Sequence, residues 1–363
     1  MNSVNRYEYI DSLRGFAVIL VLLAHVPHSL ASLHLSFPRW LFEISNQGGR
    51  GVQLFYIISA FTICMTYTNR IGIEKNIKLN FFIRRFFRIA PLFYICLIYY
   101  TLRMCFFDGF GDFNILKLLT SITFTNGFNE NFINGIIPGQ WSIAIEMVFY
   151  LTVPFWIKKI NSPNKAILVI FISLIFSKKL ILFLTSNHYV EDELFYYFFL
   201  PNQISVFFLG VLLYLTGNKN KVVNDHKYIV WANIFFLAFF FVSFAYEGYE
   251  FYLPKFFIFS LLLLLLVVIV IKDKSKIIVN KFFVLFGKIS FSVYLIHFAF
   301  YPLMPLIIKN INDFYTLNVI VIFLIVFVLF IILSGLLSIL TYKYIEQPFI
   351  NIGKKIILRY ESN

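Results

Sequence analysis

Two residues in the first apolar run carry chemistry that a purely structural helix does not need. They are Arg14 and His25 in YIDSLRGFAVILVLLAH, residues 9–25. At about 100° per residue, the eleven steps between them bring His25 back to within about 20° of the arginine, so the two share one helix face. Along the axis they are roughly 16 Å apart. A guanidinium inside an apolar span costs about 2.5–3.5 kcal/mol even on lenient insertion scales, so the pair implies a role beyond anchoring. A polar path through a membrane is the chemistry it suggests.

Four further groups extend that path. In GQWSIAIEMVFYLTVPF, Ser142, Glu146 and Tyr150 are spaced i, i+4, i+8 and fall on one helix face. If the first span enters from the cytoplasm near Asp11, His25 lies roughly 20 Å deep. Glu146, entering from the opposite side, sits roughly 10 Å below that surface, a comparable depth in a core about 30 Å thick. A carboxylate at that depth can fix an imidazole tautomer for general-base work, or it can simply tie two helices together. In NFFIRRFFRIAP, Arg84, Arg85 and Arg88 gather at the start of the third span. Such a cluster binds phosphates through bidentate hydrogen bonds, or anchors the chain to anionic lipid. With Arg14 at similar depth, it suits a phosphorylated ligand held at the cytoplasmic mouth, with an arm about as long as an extended pantetheine reaching His25. In GKISFSVYLIHFAF, Ser290, Tyr294 and His297 form a polar stripe, His297 serving either as a packed core histidine or as a functional one. Gln53 and Ser59 lie in a second span whose small and polar residues permit close helix approach or line a channel.

The elements that must position these groups are membrane helices. The chain has 363 residues, 60% hydrophobic and 13% charged, where a globular chain carries about 25% charge. Mean hydropathy is +0.80. Windows of about 20 apolar residues predict ten spans, near 11–31, 51–69, 88–107, 139–157, 165–186, 196–216, 228–246, 255–271, 289–308 and 317–342. Residues 113–128 are too short and polar for another and suit an interfacial segment. With both termini cytoplasmic, 23 of the 31 Lys and Arg residues fall on the inner side. Glu191, Asp192, Glu193, Glu247 and Glu250 fall on the outer side, and Lys178 and Lys179 sit awkwardly within the fifth span. No loop is long enough to fold separately, so residues 1–363 read as a single membrane-embedded domain with a helical core over 9–350 and a short basic tail, 351–363. The net charge of +13 is dispersed among loops, which argues against a nucleic-acid partner. Cys64, Cys96 and Cys105 are isolated, so neither a disulfide framework nor a cysteine metal site is indicated. His25 and His28 flank Pro27 and lack a third ligand, so no metal is expected. A cleaved signal peptide is disfavoured by Arg14, His25 and the many later spans.

Five segments in this order resemble the membrane acyltransferase-3 family. They are Ser12-Leu13-Arg14-Gly15 through His25; Gly51 to Phe61; Arg84-Arg85 with Arg88-Ile89 and Pro91; Trp141-Ser142 with Glu146 and Phe149-Tyr150; and Ser290 to Phe298 with Ile345-Glu346-Gln347-Pro348-Phe349. The resemblance implies an all-α integral membrane acyltransferase of the bacterial inner membrane. It would move an acyl group, most often acetyl from acetyl-CoA, to a sugar hydroxyl of a membrane-linked or exported glycan such as lipopolysaccharide O-antigen. Arg14, Arg84, Arg85 and Arg88 would hold CoA phosphates. His25 would act as general base or transient acyl carrier and Glu146 would orient it. Gln53, Ser59, Trp141, Tyr150, Tyr294 and His297 would line the substrate site. Two positions depart from the pattern. Gln53 stands where the family has an acidic residue, which bears on acceptor choice, and Ala60 replaces a glycine, which would narrow an acyl channel. The chain resembles members without a fused SGNH hydrolase-like domain, which must finish the transfer themselves. The reading from another class is a proton-coupled transporter whose Arg14, His25 and Glu146 relay protons or bind an anionic solute.

Overall fold

The computed structural model describes residues 8–107, 114–187, 189, 193–217, 254–273, 277–312 and 317–362. Every regular element among them is helical, as expected. In chain order the α-helices are α1 (Glu8–Ser29), α2 (Arg39–Gln47), α3 (Gly51–Thr68), α4 (Ile77–Phe107), α5 (Ile115–Ile122), α6 (Gln140–Trp156), α7 (Pro163–Ser186), α8 (Glu193–Phe198), α9 (Leu200–Gly217), α10 (Lys255–Asp273), α11 (Lys281–Lys288), α12 (Ser290–Ile296), α13 (Leu303–Asn312), α14 (Val319–Thr341) and α15 (Gln347–Ser362).

Among the described residues, seven helical stretches are long and apolar enough to cross a membrane, or eight if one bent pair counts as a span. The ten expected spans differ from these in identifiable ways. The window at 228–246, with Glu247 and Glu250, lies outside the described residues, as do Glu191 and Asp192. The window at 139–157 is the 17-residue helix α6. The window at 289–308 is not continuous. Instead α11 and the stretch Ser290–Phe300 meet at 67°, and α13 begins only at Leu303. The helix that carries the third window begins before it, at Ile77, so Arg84, Arg85 and Arg88 lie about two to three turns inside α4. The expected tail continues as α15, joined to α14 through a π-helical turn over Tyr342–Glu346. The 113–128 segment holds the eight-residue α5, whose first turn is capped by the Asn114 side chain accepting from the Leu116 and Lys117 amides. Lys178 and Lys179 fall within the uninterrupted helix α7.

The chain packs as two compact units, residues 1–58 with 220–340, and residues 59–219 with 341–363. In the first, α1 and α11 lie backbone to backbone. A Cβ at Gly15 would collide with the Phe283 carbonyl, and one at Gly287 with the Asp11 carbonyl. The glycine of the Leu13-Arg14-Gly15 motif is therefore a packing requirement that lets a second helix seat against the one carrying His25. At the other end of α1, Val26 and Leu30 pack with Leu41, Met304, Ile322 and Phe330 in a closed apolar cluster. The second unit is tied by aromatic stacking of α6 on α9, with the Phe149 and Phe207 rings 4.1 Å apart and Trp156 and Phe208 5.0 Å apart. The α4 and α15 helices also pair there, with Gly353 against the Phe87 side chain. Cys64 and Cys96 are buried and free.

Candidate functional site

In the first unit the chemistry gathers on two histidines. His25 sits on α1 two residues before Pro27, which removes one backbone N–H from the helix. Its half-buried ring lies 5.2 Å from that of His297, 4.7 Å from Phe298 and 5.9 Å from Tyr301, centre to centre. His297 lies where α12 gives way to a tighter 3-10 turn, and its side chain is fully enclosed. Nδ1 of His297 is 3.1 Å from the Val293 carbonyl oxygen. A carbonyl only accepts, so Nδ1 carries the proton and Nε2 presents a lone pair. Among the described residues Nε2 has no hydrogen-bond partner. Leaving such an acceptor buried and unpaired costs about 1–3 kcal/mol, which a packed core histidine would avoid. Tyr294 is buried one turn away, its ring 6.0 Å from His297 and edge-on to Phe55 at 6.5 Å. His28 points outward and its Nδ1 lies 3.1 Å from the Ala24 carbonyl oxygen. Arg14, expected to meet a phosphate, is paired with Asp11 on its own helix at 3.7 Å. Gln53 is fully buried on α3.

In the second unit a carboxylate is held by two hydroxyls. Ser59 Oγ donates to Glu146 Oε1 at 2.6 Å, Tyr150 OH donates to the same oxygen, and the two hydroxyls are themselves 2.6 Å apart. The i, i+4 spacing of Glu146 and Tyr150 thus forms the contact that it predicts. Ser142, one turn earlier on that face, instead donates to the Gly139 carbonyl at 3.1 Å. The Arg85 guanidinium lies over the Tyr150 ring at 5.2 Å and the Phe81 ring at 5.5 Å. Ring faces attract a cation but satisfy none of its N–H donors, and Arg85 Nε has no hydrogen-bond partner among the described residues. Arg88 follows one turn on, half-buried. Trp141 is buried against α8, its ring stacked 4.3 Å from Phe198.

Arg84 has a different environment from its two neighbours. Its fork meets Glu74 through two parallel bonds, Nη1 to Oε1 at 2.8 Å and Nη2 to Oε2 at 3.1 Å. Arg70 adds a bond at 2.6 Å and Asn80 one at 3.2 Å. Burial of the Glu74 carboxyl pushes its pKa up, but the bonds from Arg84, Arg70 and Asn80 outweigh that and hold it below the usual glutamate value. Asn80 also donates to Glu361 Oε1 at 2.6 Å, and Glu361 caps the start of α4 by accepting from the Lys75 and Asn76 amides at 2.8 and 3.1 Å. Glu74, Asn80 and Glu361 carry no motif, and the sequence reading missed them. It also missed Gln140, whose Oε1 accepts from the Ile136 and Ile137 amides while its Nε2 donates to Asn126, fixing the entry to α6. An amide side chain directly after a glycine at positive φ, Gly139, was the available signal.

An acyltransferase-domain family model matches residues 7–339, across both units and all the candidate residues. The chain belongs to the acyltransferase-3 family. It is similar to the O-acetyltransferase OatA of Staphylococcus aureus, with the same figures in strains NCTC 8325 / PS 47, COL and MRSA252: 26% identity over 370 residues, 93% of this chain and 56% of the relative. The chain thus spans a little over half the length of these relatives. No solved structure matches it. Within this acyltransferase-3 chain, His25, Tyr294 and His297 are gathered in the first unit, and Ser59, Glu146, Tyr150 and Arg85 in the second. Among the described residues no group of three His, Cys, Asp or Glu side chains is arranged to hold a metal.

Proposed function

We propose that this chain is an integral-membrane O-acetyltransferase that moves an acetyl group from acetyl-CoA to a sugar hydroxyl of a cell-surface glycan of the O-antigen type, with both termini on the cytoplasmic side of the inner membrane. The observation that carries this reading is the acyltransferase-3 match over residues 7–339, which contains Arg14, His25, the α4 arginines and Glu146. The name of the S. aureus relatives supports acetyl as the group and oxygen as the acceptor atom.

In this mechanism His25 takes the proton of the acceptor hydroxyl as the oxygen attacks the thioester carbonyl. The tetrahedral intermediate collapses by breaking the carbon–sulfur bond, and His25 returns the proton to the departing CoA sulfur. Glu146, its carboxylate fixed by Ser59 and Tyr150, supplies a fixed negative charge to the reaction. Arg85 and Arg88 hold the CoA phosphates, since guanidinium forks match phosphate oxygens in pairs, while the fork of Arg84 stays on Glu74. Gln53 and Tyr294, both in the first unit, line the acceptor side.

Mass spectrometry of surface polysaccharide tests this in three strains: one with the gene, one without, and one with His25→Ala at equal protein abundance. The expected result is an acetyl substituent present only in the first, and identical glycans in all three overturn the proposal. Heat protection of the solubilised protein by acetyl-CoA separates it from a transporter of an unrelated solute, which gains none.

A further inference from the structure

His297 has a lone pair that nothing described so far uses. With Nδ1–H committed to the Val293 carbonyl, Nε2 is an acceptor enclosed on every side. The Phe298 ring packs 4.0 Å from His297 and 4.7 Å from His25, holding both imidazoles in one pocket. The titratable side chains around His297 are His25 from α1, with His28 beyond it, and Tyr294 and Tyr301 from its own segment. The rings of His25 and His297 are tilted by 37° with centres 5.2 Å apart. At that spacing one nitrogen of each ring comes to about 3 Å when both turn onto the line between the ring centres.

We propose that His297 is the positioning residue for His25: its Nε2 accepts one N–H of His25 and so leaves the other His25 nitrogen bare, as the base. The inference rests on the acyl-transfer role given to His25 above and adds an orienting partner within the same unit. When His25 takes the hydroxyl proton on its bare nitrogen, both its nitrogens carry hydrogen, and the bond to Nε2 spreads the new charge over two rings. His25 then gives that proton to the CoA sulfur, and His297 ends the cycle as it began, protonated on Nδ1 only.

Two substitutions separate this role from packing. His297→Asn keeps an N–H at the δ position for the Val293 carbonyl but has nothing at the ε position. His297→Gln places an amide oxygen near where Nε2 was. Transfer from radiolabelled acetyl-CoA to endogenous glycan is followed in membrane vesicles carrying each full-length variant, at matched abundance. His297→Asn is expected to lower kcat about 10–100-fold, the loss typical when the partner orienting a metal-bound histidine is removed, with KM for acetyl-CoA unchanged. His297→Gln is expected to recover part of it. An Asn variant as fast as wild type, or faster than the Gln variant, overturns the inference, because a residue needed only for its bond to Val293 follows that order. If the Gln variant fails to accumulate, the kcat of the Asn variant decides by comparison with wild type; if the Asn variant fails, a Gln variant as slow as His25→Ala overturns the inference. His25→Ala, run alongside, tests the parent reading: full activity there removes the role of His25 itself, whereas an inactive His25→Ala beside a fully active His297→Asn sinks only the pairing.

Discussion

The two units leave different things open. Around His25 the first unit encloses a histidine whose acceptor nitrogen has no donor. In the second, Glu146 already receives two hydroxyls, Glu74 two arginines and an asparagine, and Glu361 two backbone amides and an asparagine. Among the described residues of the second unit, the cation Arg85 is met by two ring faces and carries an Nε without a partner. An open lone pair takes a proton, and an open guanidinium takes an anion. In the proposed reaction the comparison puts proton handling by His25 in one unit and recognition of the donor's charge by Arg85 in the other, with Glu74 and Glu361 bracing the second.

The largest expected effect comes from breaking the proton-handling side. His25→Ala should lower acetyl transfer by about 10²–10⁴ with the protein still present in the membrane, measured as label in glycan per mole of enzyme. A loss below tenfold contradicts the assignment. On the other side, Arg85→Lys should raise KM for acetyl-CoA by about 10–100-fold with kcat nearly kept, because lysine removes the fork but not the charge. Arg84→Lys should leave KM nearly unchanged and lower thermal stability, because its fork is spent on Glu74. If the two variants shift KM equally, the distinction between an open and a satisfied arginine has no functional content.

That distinction was not legible in the sequence, and the reason is geometric. Helical periodicity placed Arg84 and Arg88 on one face, which α4 bears out, but it says nothing of a carboxylate ten residues back in a turn. Periodicity likewise put Glu146 and Tyr150 on one helix face, where the structure joins them by a hydrogen bond. It could not bring His25 beside His297, because that contact depends on the break at Ile289 and on α11 seating against α1. The helical class and the polar pair in α1 could be read because burial in lipid restricts composition strongly. Contacts between helices distant in sequence could not, since small residues such as Gly15 and Gly287 signal close approach without naming the partner.

Close approach of α1 and α11 can be tested directly. Gly287→Ala sets a methyl group against the Asp11 carbonyl, backbone against which nothing flexible can yield. Overpacking of this kind costs about 1–3 kcal/mol, so the solubilised variant should melt earlier, and the residual folded protein should lose kcat rather than donor affinity if the damage stays in the first unit. A rise in KM with kcat intact would place donor recognition there instead.

The smallest effect sharpens the other half of the comparison. Glu74 lies in the turn between α3 and α4, and its carboxyl is held below the usual glutamate value by Arg84, Arg70 and Asn80 against the opposing pull of burial. A depressed folded-state pKa means the stabilisation is fully present above the unfolded glutamate value and is lost as pH falls through the depressed one. At neutral pH Glu74→Gln should therefore melt below wild type, and the gap should close on acidification through the carboxylate range; a gap independent of pH would mean that the charge of Glu74 contributes nothing. The same variant also releases the Arg84 fork. If Arg84 only braces α4, KM for acetyl-CoA should stay the same or fall slightly as a further cation becomes available, while stability drops. A rise in KM as large as that of Arg85→Lys would instead make the Glu74–Arg84 pair part of the anion site, and the second unit would then recognise its ligand with a satisfied arginine as well as an open one.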